Sequence, residues 1–284
     1  MPALFVVMWS SGFVGAKLGL PHAEPFTFLL VRFVLVIALL AVLALVTRAP
    51  WPQDWRLAGH LAVSGTLVHG IYLGGVYSAL AAGLPAAVAA LIAGLQPILT
   101  AIAAGPALGE RLSRRQWLGL VLGLLGVAMV LSTKVIGLRP QGFGWGAVAL
   151  VFAALFAITA GTLYQKRFCT GMDLRTGALV QYMAALLFVL PIAVLFETMK
   201  IDWTGEFVLS LAWLVLVLSF GAISLLMTMI RLGGATRVSS LFYLTPPTTA
   251  VMAWAAFGER LGPIALAGMV VASLGVALVV SRRG

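Results

Sequence analysis

"PALGERL" at residues 106–112 and "AAFGERL" at residues 255–261 spell the same four letters at a spacing of 149, and the reading of that pair decides the fold. The same shift carries Pro97 onto Pro246, Thr100 onto Thr249, Gly119 onto Gly268, and the LGVA of residues 125–128 onto that of 274–277. From Leu91 to Ser132, 18 of 42 positions are identical without a gap, which marks a duplication. Towards the N-terminus it places Gly12 on Gly161 and Lys17 on Lys166, although the second and third apolar runs of the two halves match poorly.

The duplicated unit is a membrane unit. A chain of 284 residues that is 62% hydrophobic and 9% charged, with mean hydropathy +1.10, has too few polar side chains to dress a soluble surface. Crossing a hydrocarbon core of roughly 30 Å takes about 20 helical residues. Ten apolar runs of about that length or slightly more follow one another, near 2–20, 25–46, 57–82, 84–105, 113–132, 142–166, 174–196, 207–231, 235–257 and 262–281. The expected fold is all-α and integral to the membrane, with ten transmembrane helices in two five-helix repeats, residues 1–134 and 142–284. Five is odd, so the second repeat crosses in the opposite sense and the repeats are inverted. The first run has no basic start and carries Trp9 and Lys17, which reads as a spanning helix rather than a signal peptide. The loops are too short to hold a soluble catalytic domain.

The net charge of +10 matters through its placement. With the N-terminus inside, Arg48, Arg56, Arg111, Arg114, Arg115, Lys166, Arg167, Arg175, Arg231, Arg237, Arg282 and Arg283 fall on inner segments; Lys17, Lys134, Arg139, Lys200 and Arg260 lie toward the outside. By the positive-inside rule both termini are cytoplasmic, and the compact loops fit the inner membrane of a bacterium. The basic residues are scattered over five separate inner segments, which argues against a nucleic-acid partner. Cys169 is the single cysteine, so no internal disulfide forms. His22 and His60 fall near opposite membrane faces and no carboxylate lies beside His69, so no metal site is expected.

Inverted repeats can close a central cavity from either side with two similar gates, the architecture of many secondary transporters. The five-plus-five arrangement, "WSSGFVGAK" at 9–17, "EPFTFLLVRF" at 24–33 and the two P…GERL…G…LGVA blocks resemble the drug/metabolite transporter superfamily in its EamA-type branch. Within that branch the chain resembles the YddG-type exporters of aromatic and other neutral amino acids. The resemblance spans essentially the whole chain and implies a ten-helix carrier that moves small metabolites outward from the cytoplasm.

The candidate site residues follow from depth and chemistry. Pro97, Pro246 and Pro247 lack an N–H and clash with the carbonyl four residues back, which makes them expected flexing points. The freed carbonyls of Ala93, Phe242 and Tyr243 must face a cavity or other protein. Gln96 with Thr100, and Thr245 with Thr249, stand four apart and form a polar stripe on each of two equivalent helices. Such stripes either line the substrate path or bind neighbouring helices together. His69, near the middle of the third run with Tyr72 three residues on, is an ionisable group at depth and a candidate for substrate contact. Trp9, Tyr243 and Trp254 are candidate aromatic walls, whereas Trp51, Trp55, Trp117, Trp145 and Trp203 sit near run ends as belt residues. Lys17 and Arg32 lie inside apolar runs near the outer face, to hold an external gate or attract an anion, or as groups that snorkel outward or pair with Glu24 or a helix-end carbonyl. Gly119, Gly123, Gly126, Gly268 and Gly275 suit close helix packing, with a dimer contact as the other use and a monomer as the expected working unit.

All eight carboxylates fall in loops or at run ends, so no acidic group is expected in the membrane pathway. That favours gradient-driven facilitated export over proton or sodium coupling, with His69 as the one alternative proton carrier. No nucleophile with its base and no carboxylate cluster indicates an enzyme, and no cofactor is called for. The expected cargo is a neutral amino acid; the alternative, phosphorylated or nucleotide-linked metabolites, would require several basic groups at mid-depth.

Overall fold

The computed structural model describes residues 2–108, 113–135, 144–222, 225 and 240–280; the first GERL, and with it Glu110, lies outside the described residues. These residues form helices joined by short turns, and no strand occurs among them beyond a single bridge between Ala23 and Ile201. In chain order they are α1 (Pro2–Gly19), α2 (Pro25–Val46), α3 (Trp55–Gly65), α4 (Tyr72–Ala81), α5 (Ala86–Ala93), α6 (Gln96–Leu108), α7 (Arg114–Val135), α8 (Trp145–Phe168), α9 (Leu174–Phe196), α10 (Gly205–Ala212), α11 (Thr245–Phe257) and α12 (Pro263–Val280). α3 continues into α4 through a π-helical turn, Thr66–Ile71, and α10 runs on into a second one, Trp213–Ala222. Six described helices are long and apolar enough to cross a membrane.

Local chemistry sets the helix starts. Pro25 opens α2 where its missing N–H costs nothing, Asp54 and Asp173 cap α3 and α9 with their carboxylates, and the Thr204 hydroxyl accepts from Phe207 N to cap α10. Gly258, at φ 66°, ends α11 in the left-handed conformation that glycine adopts without a Cβ penalty.

The surface is that of a protein solvated by lipid. Leu195 and Phe196 are 73% and 80% exposed, and leucines, valines and phenylalanines such as Val42, Leu45, Phe156, Leu187 and Val270 point outward along the helices. Ser10, Arg32, Ser64, Thr176, Gln181 and Thr249 are buried. Apolar-out and polar-in is a stable arrangement only where the solvent is hydrocarbon. Trp51, Trp55, Trp117, Trp145 and Trp203 are all exposed near helix ends, as an interfacial belt requires. The chain is a multi-pass membrane protein.

Helices related by the shift of 149 pack on each other in opposite directions. Backbone N–H groups of Phe26 and Thr27, in the first turn of α2, donate to Glu197 just past α9, while Thr176 in the first turn of α9 donates to the Pro50 carbonyl just past α2. α7 and α12 meet through a reciprocal glycine contact: Gly126 faces the Gly268 carbonyl, and Gly275 faces the backbone of Gly119 and Gly123. A Cβ at Gly126 or Gly275 would collide with main-chain atoms, so these glycines permit a close approach of the two helices. Their small faces pack on each other within the chain.

The span expected at 84–105 is interrupted. α5 stops at Ala93 and α6 restarts at Gln96, with Pro97 as its second residue; a 3-10 turn, Ser240–Leu244, likewise precedes α11, whose Pro246 and Pro247 follow Thr245. Each proline therefore sits in a first turn, where no backbone N–H is required of it. The interruptions adjoin: a Cβ built on Gly94 would lie 3.3 Å from Pro246 Cγ.

Candidate substrate site

A layer of buried polar side chains crosses the bundle where α2, α4, α9 and the two π-helical turns meet. The π geometry inserts an extra residue per turn and recurs at functional sites. Here it places His69 in the first turn and Ser219 in the second. Arg32 of α2, 3% exposed, donates from Nη1 to the Tyr77 hydroxyl (2.8 Å) and from Nη2 to Ser219 Oγ (3.4 Å). Ser219 spends its own proton on the Leu214 carbonyl (3.1 Å), so toward Arg32 it is an acceptor. Arg32 Nε has no hydrogen-bond partner.

His69 lies over Tyr182 of α9, the rings stacked with centroids 4.1 Å apart. The Gln181 side chain bonds His69 and donates to Ser64 Oγ (3.2 Å), and Ser64 donates to Gln165 Oε1 of α8 (3.2 Å). Gly65 makes room for this chain, because a Cβ there would strike the Gln181 backbone. The ionisable groups that act electrostatically on Arg32 are Tyr72, Tyr77 and Tyr182, and Arg32 acts in turn on His69. Thus α2, α4, α9 and both π turns contribute to one cluster, rich in hydroxyl, imidazole and guanidinium donors.

The expected site residues divide into three groups. His69, Tyr72 and Arg32 come together in this layer, with Arg32 bonded to Tyr77 and Ser219. Gln96 donates to Thr162 Oγ1 of α8 (3.3 Å), and it and Thr100 are half-buried beside the layer's α8 side. Thr245 and Thr249 are buried against α1. Thr249 is fully buried and donates to the Ser10 carbonyl of α1, and the Thr245 carbonyl accepts from Ser10 Oγ, so this stripe binds α11 to α1. Trp9 packs with Phe5 and edge-on to Phe242 in a separate aromatic cluster (centroids 5.6 and 5.1 Å). Trp254 is 56% exposed on the outer surface of α11, where its helical phase turns it to lipid. Tyr243 falls in the 3-10 turn and its side chain lies outside what is described.

Lys17 finds a partner that depth alone did not single out. It forms an ion pair with Glu259 of the second GERL, and Glu259 also accepts from Ala86 N, so one carboxylate joins α1, the start of α5 and the turn after α11. Sequence reasoning missed Gln181, Ser64, Gln165 and Ser219, and left Tyr77 and Tyr182 unplaced. A signal was present: the shift of 149 sets Gln181 on Arg32 and Tyr182 on Phe33, and the Phe33 and Tyr182 rings meet edge-on across the α2–α9 contact with centroids 5.5 Å apart.

Comparison with known proteins agrees with this architecture. The family model described as the EamA-like transporter family matches residues 2–132 and 145–281. The chain belongs to that family. A Salmonella typhimurium protein named "Probable amino-acid metabolite efflux pump" is 26% identical over 96% of this chain and 91% of its own length. A Streptantibioticus cattleyicolor protein named "Probable terminal-alkyne amino-acid exporter" is 28% identical over 99% and 92%. A solved crystal structure, 19% identical, covers 98% of this chain and 94% of its own with a TM-score of 0.66, a likeness of fold. Membership makes the chain a membrane transporter.

Proposed function

We propose that the chain exports small neutral metabolites, aromatic and other neutral amino acids first among them, by alternating access between two inverted five-helix repeats, residues 1–134 and 142–284. This reading has ten spanning helices in the bacterial inner membrane, both termini in the cytoplasm, and a single chain as the working unit. The antiparallel pairing of α2 with α9 and of α7 with α12 supports the inverted relation. The observation that carries the cargo assignment is the buried layer of His69, Tyr72, Tyr77, Tyr182 and Gln181 around one guanidinium. Aromatic faces with polar tips suit an organic zwitterion. The two relatives named for amino-acid export are consistent with it. The broken helices at Pro97 and at Pro246–Pro247, which touch at Gly94, are the flexing points on this reading.

No carboxylate of a described residue joins the layer: the seven described acids stand in turns or at helix ends. That supports facilitated export down the amino-acid gradient, because a proton- or sodium-coupled carrier usually keeps an acid in its pathway. Phosphorylated cargo is less well served, since Lys17 is already held by Glu259 and leaves one guanidinium in the layer.

Counterflow in proteoliposomes tests the assignment. Vesicles loaded with phenylalanine are expected to accumulate trace labelled phenylalanine without a pH gradient, and His69→Ala is expected to slow it about tenfold through the lost stacking and hydrogen bond. Failure of every neutral amino acid to exchange would remove the proposed cargo.

A further inference from the structure

Arg32 is a costly residue to bury. Taking a guanidinium out of water costs several kcal/mol, and proteins offset that cost with a carboxylate or another anion. Here no described carboxylate forms an ion pair with it. Glu206 and Glu259 pair with His22 and Lys17, Asp173 pairs with Arg175, and Glu24 and Glu197 accept from backbone and hydroxyl donors of facing turns. The two partners Arg32 does have are neutral hydroxyls, one of them 3.4 Å away, and Nε has none.

The geometry around it is complementary to an anion. Tyr77 accepts from Arg32, which leaves its O–H as a donor. Tyr72 and Tyr182 also interact with Arg32, each with a polar hydrogen to give. Donors therefore gather without an anionic acceptor. The acceptor that fits a single guanidinium and a phenol is a monoanionic carboxylate, which Arg binds through two parallel N–H···O bonds.

The geometry points to Arg32 as the anchor for the carboxylate of the transported molecule, with the Tyr77 hydroxyl as its second donor. This rests on the export reading above and narrows it: the cargo is defined by its carboxylate more than by its ammonium, for which no described acid stands in the layer. The counter-charge that no described residue supplies to Arg32 arrives with each substrate. Release at either face then returns the guanidinium to Tyr77 and Ser219, whose neutral hydroxyls hold it without trapping it.

The experiment uses three competitors in the phenylalanine counterflow assay: phenylalanine, phenethylamine, which lacks the carboxylate, and 3-phenylpropanoate, which lacks the ammonium. Phenylalanine and phenylpropanoate are expected to compete at similar concentrations and phenethylamine at least about tenfold more weakly, the loss for an unmade charge-assisted hydrogen bond. Arg32→Gln is expected to raise KM for phenylalanine by at least about tenfold and abolish the preference, with Arg32→Lys intermediate. Thermal midpoints in detergent check that each variant is folded, and the competitor series on the unaltered protein stands if Arg32→Gln is not. Equal competition by all three, or an unchanged KM in folded Arg32→Gln, overturns the anchor while leaving amino-acid export intact. Exchange of labelled phenylpropanoate without phenylalanine sinks the amino-acid reading and keeps the anchor; no exchange of either acid removes both.

Discussion

The two ends of the α2–α9 pair are equivalent by the shift of 149, yet they are joined by different chemistry. At the end formed by the α1–α2 turn and the α9–α10 loop, the ties run between the halves of the chain. Glu197 accepts from Phe26 N, Thr27 N and Thr27 Oγ1 at 2.6–2.8 Å; Glu24 accepts from Thr198 N and Oγ1 at 2.6 and 2.7 Å; Asp202 N donates to the His22 carbonyl. His22 meets Glu206, Ala23 bridges to Ile201, and the Lys17–Glu259 pair stands beside them. At the opposite end Glu197 is matched by Arg48 and Thr198 by Ala49. Asp173, the mate of Glu24, has no hydroxyl donor facing it from position 49 and turns back on its own helix, bonding Arg175 and Thr176. The ties between the halves seen there are Thr176 Oγ1 to the Pro50 carbonyl and, beside it, the His60–Tyr164 hydrogen bond (2.7 Å) with His60 stacked on Phe168. The first end is latched by carboxylates that reach across the repeat; the second carries the arginines that place it in the cytoplasm on our reading. On the proposed alternating-access reading the first end is the closed one, and among the described residues the second end has fewer bonds to break.

Removing Glu197 tests this most severely. Glu197→Ala strips three short bonds from the first turn of α2 and is expected to cost about 2–4 kcal/mol, since hydrogen bonds to a charged group are worth about 1.5–3 kcal/mol each and do not add fully. Arg48→Ala, its counterpart, is expected to stay within about 0.5 kcal/mol because Arg48 is exposed. Thermal or SDS unfolding in micelles measures both. Equal losses would mean that the two ends are tied alike.

The Lys17–Glu259 latch comes next. Lys17→Met leaves a mostly buried carboxylate with only Ala86 N, and about 1–2 kcal/mol is expected after discounting for the partial exposure of both groups. Lys166→Met, at the mate of Lys17, is expected to have no measurable effect on an exposed side chain. The charge swap Lys17→Glu with Glu259→Lys should recover at least half the loss in a double-mutant cycle, and no recovery would reduce the pair to a packing contact.

These contrasts also show where the sequence was legible. Helix positions were readable because lipid imposes long apolar runs, and the paired GERL and LGVA blocks exposed the duplication on which the comparison rests. Individual roles were less readable. Arg32, counted by depth, looked like a gate residue, because position along one helix says nothing about Tyr77 and Ser219 approaching from two others. Thr245 and Thr249 were candidates for a lining on the same four-residue spacing as Gln96 and Thr100, yet α11 turns them onto Ser10. Spacing fixes which residues share a face, and only packing fixes what that face meets. Gln181 and Tyr182 went unseen because identity fades in the second and third runs, where the halves have diverged to build different parts of one site.

A smaller effect separates Glu24 from Asp173 by acid. Bonds from Arg175, first its guanidinium and then the N–H groups of Arg175 and Thr176, hold Asp173 down at about 2 from an ordinary 3.8, while the Thr198 hydroxyl and N–H hold Glu24 below its ordinary 4.5. Both folded values are depressed, so each carboxylate contributes stability that is complete above its unfolded value and is lost as pH falls through the folded one. For Asp173 the window runs from about pH 4 to about pH 2. The thermal midpoint is therefore expected to be insensitive to these two groups from pH 5 to 8 and to fall below pH 4. The consequence of protonation differs by end. Protonated Asp173 frays one helix start, whereas protonated Glu24 unties the α9–α10 loop from the α1–α2 turn. Asp173→Asn should remove part of the acid slope without altering exchange of the Thr198 amide, and Glu24→Gln should raise that exchange already at pH 7. An Asp173→Asn variant that loosens Thr198 would show the two ends to be coupled through α9, and the contrast between a latched end and an unlatched one would no longer be local.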